Sequence, residues 1–310
     1  MNHHPALSLP DLSRRSLLGR AGALAATLGV GGQLGRAAAQ DATPGSPAAT
    51  PMADGQMTTI NGVNLYYEVR GDAAGTPVLL LHGGLGSTEE WDNLSPALVD
   101  AGYRVVLMDS RGRGRSTWGD APITYEQMAS DALGLLDHLG IDTTHLVGWS
   151  DGGIIGLELA INHPARLDRA VIYGANFTPD GIYAEPRDSD QLIPFEELAA
   201  TYQRLSPEPE RFEELLGVMF ALYAVAPNFS EAELGSIAVP VLILDGAEEE
   251  LVKPDQPVRM AEVIPGAELV LMPGTGHFAP AARPDEFNRI VLAFLAGEAV
   301  GTPVAATPTA

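Results

Sequence analysis

Hydrophobic positions change rhythm along this chain. Thr58 to Ile60 and Val63 to Val69 flank Asn61-Gly62, a pair suited to a two-residue turn with positive φ, and together they predict a hairpin. Six short apolar runs follow, at 77–83 (PVLLLHG), 104–110 (RVVLMDS), 145–150 (HLVGWS), 168–175 (DRAVIYGA), 239–246 (VPVLILDG) and 267–274 (AELVLMPG). They are almost continuously apolar, which is the pattern of strands covered on both faces. Helical spacing fills the intervals at 89–101, 124–139, 151–162, 254–264 and 284–296. The fold class predicted is α/β, a mostly parallel central sheet with helices on both faces. From about 180 to 237 no strand pattern occurs and two helical ones do, near 194–205 and 208–223, so a short helical cap insertion is expected there. Its apolar members Ile182, Tyr183, Phe195, Tyr202, Met219, Phe220 and Tyr223 either line a pocket or pack the cap's own interior.

The two ends carry other patterns. Arg14 and Arg15 precede a weakly apolar stretch from Leu17 to Leu34 and then Ala37-Ala38-Ala39, the layout of a twin-arginine export signal over 1–39 with cleavage before Gln40. Arg20, Gln33 and several glycines make that stretch a poor bilayer span, so no stable membrane span is expected once the signal is removed. The export machinery is then an expected partner, and the expected location is periplasmic or extracellular. Segments 40–56 and 298–310 are rich in Ala, Thr and Pro and read as a flexible linker and tail. A single domain over 57–297 remains.

Composition narrows the chemistry. With 45% hydrophobic residues in 310, the chain has enough apolar side chains for a large core. Its 40 Asp+Glu against 18 Lys+Arg, a net of -22, argue against nucleic acid, whose phosphates require a basic face. The absence of cysteine removes disulfides, thiolate nucleophiles and cysteine metal sites. The seven histidines show no H-E-x-x-H spacing, and GGLGST at 83–88 lacks both a third glycine and a P-loop lysine. No metal and no cofactor are therefore expected, and the expected partner is a small-molecule substrate.

Residues 146–160 read LVGWSDGGIIGLELA, in which Gly148, Ser150 and Gly152 make G-x-S-x-G between a strand pattern and a helix pattern. That context reads as a sharp strand-to-helix turn presenting one hydroxyl. A serine hydroxyl needs a base, a group orienting that base, and donors for a developing oxyanion. His277, in PGTGHFAP after the last strand, is the candidate base. His138, His145 and His163 read as structural, and His82, beside a glycine turn, is the rival.

HGGLGS, DSRGRGRS, GWSDGG, LILDGAEEELV and GTGHF occur in the order and approximate spacing of the α/β-hydrolase fold family, which the chain resembles over nearly all of 57–297. The resemblance implies an order of nucleophile, acid and histidine, with the acid soon after VLILDG. Family members usually carry aspartate three residues beyond the glycine matching Gly246; here Glu249 stands there, and Asp180 is the alternative acid. Glu248 and Glu250 read as a solvated loop face. The likeness of His82-Gly83-Gly84 to the family's H-G-x loop assigns the oxyanion hole to the amides of Gly84 and Asp151, with Leu85 as a substitute for Gly84. DSRGRGRS implies loop bonding by Asp109 and Arg111, with a carboxylate-binding role for Arg111 as the alternative and Arg113 and Arg115 at the surface.

These readings converge on a cofactor-free serine hydrolase of a small apolar ester, lactone or related acyl compound, with Ser150, Glu249 and His277 as catalytic residues. Two alternatives use the same triad: a cofactor-free perhydrolase or haloperoxidase, and a carbon–carbon bond hydrolase. A third, a noncatalytic binding protein on the same fold, draws on the acidic run after VLILDG.

Overall fold

The computed structural model describes residues 55–187, 193 and 195–303. The expected export signal, residues 40–54 of the expected linker and the last seven residues lie outside the described residues. Strands β1 (Gln56–Ile60) and β2 (Val63–Arg70) form the expected hairpin, and Asn61 and Gly62 both take positive φ at its turn. The remaining strands are β3 (Pro77–Leu81), β4 (Arg104–Met108), β5 (Thr144–Trp149), β6 (Leu167–Tyr173), β7 (Val241–Gly246), β8 (Glu268–Met272) and β9 (Thr302–Pro303). They make one sheet in the order β1-β2-β4-β3-β5-β6-β7-β8-β9. Pairings from β4 through β8 are parallel, and the hairpin and β9 add antiparallel edges.

Alternate strand residues face opposite layers. Leu79, Leu81, Val106, Leu146, Ile172 and Ile243 pack with α2 (Tyr125–His138) and α3 (Asp151–Asn162). Val78, Leu80, Val105, Val147, Val171 and Leu242 pack on the other face with α1 (Ser95–Asp100) and α9 (Pro284–Leu295). Each such aliphatic side chain, fully withdrawn from water, contributes about 1.5 to 3 kcal/mol. The order reverses direction at β3, which lies between β4 and β5, so the carboxyl ends of β3 and β5 open a crevice at the switch point.

Between β6 and β7 lie α4 (Phe195–Leu205), α5 (Phe212–Tyr223) and a third short helix, α6 (Glu231–Leu234), which the sequence pattern does not single out. Ser230 and Glu233 close a reciprocal capping box on α6. Helices α7 (Asp255–Val263) and α8 (Ala279–Ala282) complete the set.

Two expectations are corrected. The helix expected over 89–101 is a 3₁₀ turn, Thr88–Trp91, followed by the separate α1, because Pro96 lacks an N–H and sits in the first turn of a new helix rather than inside an old one. The segment from 298 was expected to be a flexible tail, yet Val300 and Gly301 donate their N–H groups to Glu268 Oε2, and Thr302 and Pro303 pair with β8.

Candidate active site

Ser150 is the N-cap of α3, with φ 54° and ψ −116°. A non-glycine residue rarely occupies this region, and tertiary structure must hold it there. Two features do so. The Ser150 N–H donates to the Tyr173 carbonyl at 2.7 Å, locking the turn to β6. Gly152 lets α3 lie against the end of β3, where any Cβ would collide with the Leu81 carbonyl.

The loop after β8 carries His277 to the same region. Its Nδ1 meets Glu249 Oε1 at 2.7 Å, and both side chains are buried. The same Oε1 accepts the N–H groups of Leu251 and Val252, at 3.1 and 3.0 Å. With a carboxylate at Nδ1, the ring's proton sits there and Nε2 is left as the basic nitrogen. Asp180 holds no such position: it is exposed, and its carbonyl accepts from Lys253 Nζ at 2.7 Å.

The acidic run grips the histidine loop at three points. Glu248 Oε2 accepts the Thr275 N–H at 2.9 Å and Glu250 Oε2 accepts the His277 N–H at 2.6 Å, while Glu249 holds the ring. The expectation of a solvated face is corrected for Glu250, which is 2% exposed, whereas Glu248 lies at the solvent as expected while one of its oxygens takes the Thr275 N–H. Carboxylates bind backbone N–H groups well, so a loop can be shaped this way. From the other side Tyr173 donates to the Gly276 carbonyl at 2.5 Å and accepts the Ala279 N–H at 3.1 Å.

Burial opposes charge on His277, but the charge and hydrogen bond of Glu249, helped by Glu250 and Glu90, outweigh it and hold its pKa above the ordinary histidine value. Glu249 shows the converse. Burial disfavours its anion, yet His277 and the Val252 N–H bring its pKa below the usual carboxylate value.

His82 is not free to act as a base. Its Nδ1 faces the Gly83 carbonyl at 2.7 Å and its Nε2 faces the Ser110 N–H at 2.9 Å, so a neutral ring with the proton on Nδ1 satisfies both. Burial and the Arg113 charge push its pKa down to about 3. It shapes the loop that carries Gly84 and Leu85. Asp151 N–H lies in the first turn of α3, where backbone donors lack helical acceptors. Gly84, Leu85, Asp151, Ser150 and His277 all line one cavity of about 710 Å³.

Arg113, expected at the surface, is 1% exposed and lies 3.6 Å from Asp151 Oδ2. Asp151 also accepts from Tyr125 Oη at 3.0 Å and from Tyr223 Oη at 3.4 Å, so its side chain ties the turn to α2 and to α5. Arg111 binds a carboxylate, but an internal one, making 2.6 and 2.7 Å bonds to both oxygens of Asp131. Asp109 bonds loops as expected, accepting the N–H groups of Thr88 and Arg115.

Sequence reasoning missed Glu90, a cavity-lining carboxyl that accepts the Gly83 N–H at 2.9 Å. Burial pushes its pKa up to about 7 against the pull of Gly83 and His277, and the charges of Asp109 and Asp151 add to the rise. Its signal was available only as a carboxylate beside Trp91 in the loop following HGG. The cap's apolar residues divide: Ile182, Tyr183, Phe220 and Tyr223 line the cavity, whereas Tyr202 and Met219 belong to the core and Phe195 packs on Phe212.

A family model for the alpha/beta hydrolase fold matches residues 76–190. A protein of Caulobacter sp. (strain K31) named "Putative carbamate hydrolase RutD" is 34% identical over 275 residues, 79% of this chain and 99% of its own length. The 2-hydroxy-6-oxo-6-phenylhexa-2,4-dienoate hydrolase of Comamonas testosteroni is 31% identical over 74% of this chain and 91% of its own. Among solved structures, the enol-lactonase of Burkholderia xenovorans LB400 superposes with a TM-score of 0.62 at 25% identity, covering 78% of this chain and all of the other. With this sheet, this serine turn and these relatives, the chain belongs to the α/β-hydrolase fold family and is a hydrolase of that fold.

Proposed function

We propose that the chain is a cofactor-free serine hydrolase of a small, neutral, mainly apolar acyl compound, an ester or lactone. The observation that carries this reading is the Glu249–His277 hydrogen bond set at the cavity into which Ser150 is turned. In the proposed reaction Ser150 Oγ attacks the carbonyl carbon while its proton passes to His277 Nε2. The carbonyl oxygen becomes an oxyanion that accepts the N–H groups of Gly84 and Asp151. Collapse expels the leaving group with the proton from His277, and water, deprotonated by the same imidazole, releases the acid from the acyl-enzyme. Each oxyanion donor is worth about 3 to 4 kcal/mol in the transition state. Glu90, Asp151 and Asp180 line the cavity against a single lysine there, Lys253, and this acidic balance disfavours substrates bearing carboxylates of their own. The segment between β6 and β7 is proposed as a lid, with exposed Phe220 at its mouth.

A carbon–carbon bond hydrolase on the same residues is the second reading, and the name of the Comamonas relative favours it. Export by a twin-arginine signal is also proposed, from Arg14, Arg15 and the Ala37-Ala38-Ala39 site.

A fluorophosphonate probe tests the reaction type, since an activated serine forms a stable adduct that mass spectrometry maps to Ser150. No adduct would favour a binding protein instead. A panel of neutral esters, lactones and vinylogous diketones then separates acyl from carbon–carbon cleavage.

A further inference from the structure

The Glu249 carboxylate that orients His277 has two oxygens in very different settings. Oε1 takes three donors, from Leu251, Val252 and His277. Oε2 is buried, and among the described residues no ordinary donor reaches it. The Asp245 side chain, near the end of β7 and 1% exposed, lies against the same carboxylate. One oxygen of Asp245, Oδ1, accepts the Gly246 N–H at 2.8 Å. Among the described residues, neither Asp245 nor Glu249 is paired with a lysine or arginine, and Glu250 and His277 close the same space. Arg187 meets Glu249 at its backbone carbonyl, at 3.5 Å, and the Tyr173 ring stands near Asp245 with its hydroxyl engaged by the histidine loop.

Two carboxylates sharing a dry site do not both ionise. The proton belongs on the one whose anion is less supported. Glu249 has three donors, two amides and the imidazole; Asp245 has one amide and faces Glu249 and Glu250. Burial and the Glu249 charge accordingly drive the Asp245 pKa well above the ordinary aspartate value, while Glu249 stays below its own.

We propose that Asp245 is a positioning residue for the triad: kept protonated, it donates an O–H···O hydrogen bond to Oε2 of Glu249 and so fixes the carboxylate that aims His277. Glutamate has one more rotatable bond than aspartate, and anchoring its second oxygen removes that freedom. The proton stays on Asp245 throughout, and the inference rests on the serine-hydrolase reading given above.

Asp245→Asn and Asp245→Ala distinguish this from a merely structural role. The asparagine amide can donate to Glu249 while its carbonyl accepts from Gly246. It should leave kcat/KM within about threefold of wild type and keep the position of the acid limb of its pH profile. Asp245→Ala should lower kcat/KM on the order of tenfold and move that limb, at unchanged KM. Infrared spectra of wild type minus Asp245→Asn at neutral pH, a difference in which the half-protonated Glu90 carboxyl cancels, should show a protonated-carboxyl C=O stretch. The band reports Asp245 whether or not Ser150 takes the fluorophosphonate, so failure of the hydrolase reading and failure of this one are separable. If the alanine variant does not fold, the asparagine variant and its spectrum decide. Absence of the band, an alanine variant with wild-type rate and profile, or an asparagine variant as impaired as alanine, each overturns the proposal.

Discussion

Glu249 and Asp180 both follow strands at the carboxyl edge, and only one of them meets Nδ1 of His277. Glu249→Gln should lower kcat by on the order of 10³ to 10⁴, because the amide reverses the ring's hydrogen-bond preference. Asp180→Asn should stay within about threefold. Steady-state kinetics on any ester the protein turns over compares them. Glu90 yields a pH prediction. His277 must be neutral to accept a proton, and its raised pKa places the rising limb of kcat/KM above the free-histidine value near 6.5. Glu90 loses its proton near pH 7, which sets a negative charge beside the oxyanion donors and should make kcat/KM fall at higher pH. Glu90→Gln should remove the falling limb and leave the rising one; a falling limb at the same pH in the variant would rule out Glu90 as its source. Ser150 and His277 were legible in the sequence because neighbours within a few positions mark them. Glu249 was legible only through the family resemblance. Arg113, Glu90, Glu248 and Glu250 were not, since each acts through partners brought close only by folding.

At the level of elements, the serine turn depends on α3 passing closely over the end of β3. Gly152→Ala puts a methyl group into the Leu81 carbonyl, which is backbone and cannot rotate away. Overpacking of this kind costs about 1 to 3 kcal/mol, readable as a lower denaturant midpoint at unchanged m. Activity should fall with it, because relief of the clash moves Ser150. A variant as stable and as active as wild type would mean the junction is looser than its contacts indicate. Both sheet layers were readable from the continuous apolar runs. Short pieces escaped: the break at Pro96, the single-turn helix Glu231–Leu234 and the pairing of Thr302 and Pro303 are too brief to leave a periodic pattern.

For the whole molecule, the sheet supplies a rigid floor, and three loops, after β3, β7 and β8, meet the serine turn after β5 over one cavity. Cap and floor are joined by Trp118 Nε1 donating to Tyr202 Oη at 3.1 Å and by the Arg204–Glu89 pair at 2.6 Å. The proposed export is testable at this scale. Replacing Arg14 and Arg15 together by lysine should leave full-length protein inside a host whose wild-type counterpart is exported in cleaved form, as seen by fractionation and N-terminal mass spectrometry. Equal export of both forms would refute a twin-arginine route. The direct test of the central claim is the turnover of Ser150→Ala on the best neutral ester found for the wild type. A fall of about 10⁴-fold or more, in a variant that melts as wild type does, is the expected result. Ester cleavage within tenfold of wild type would contradict a nucleophilic Ser150.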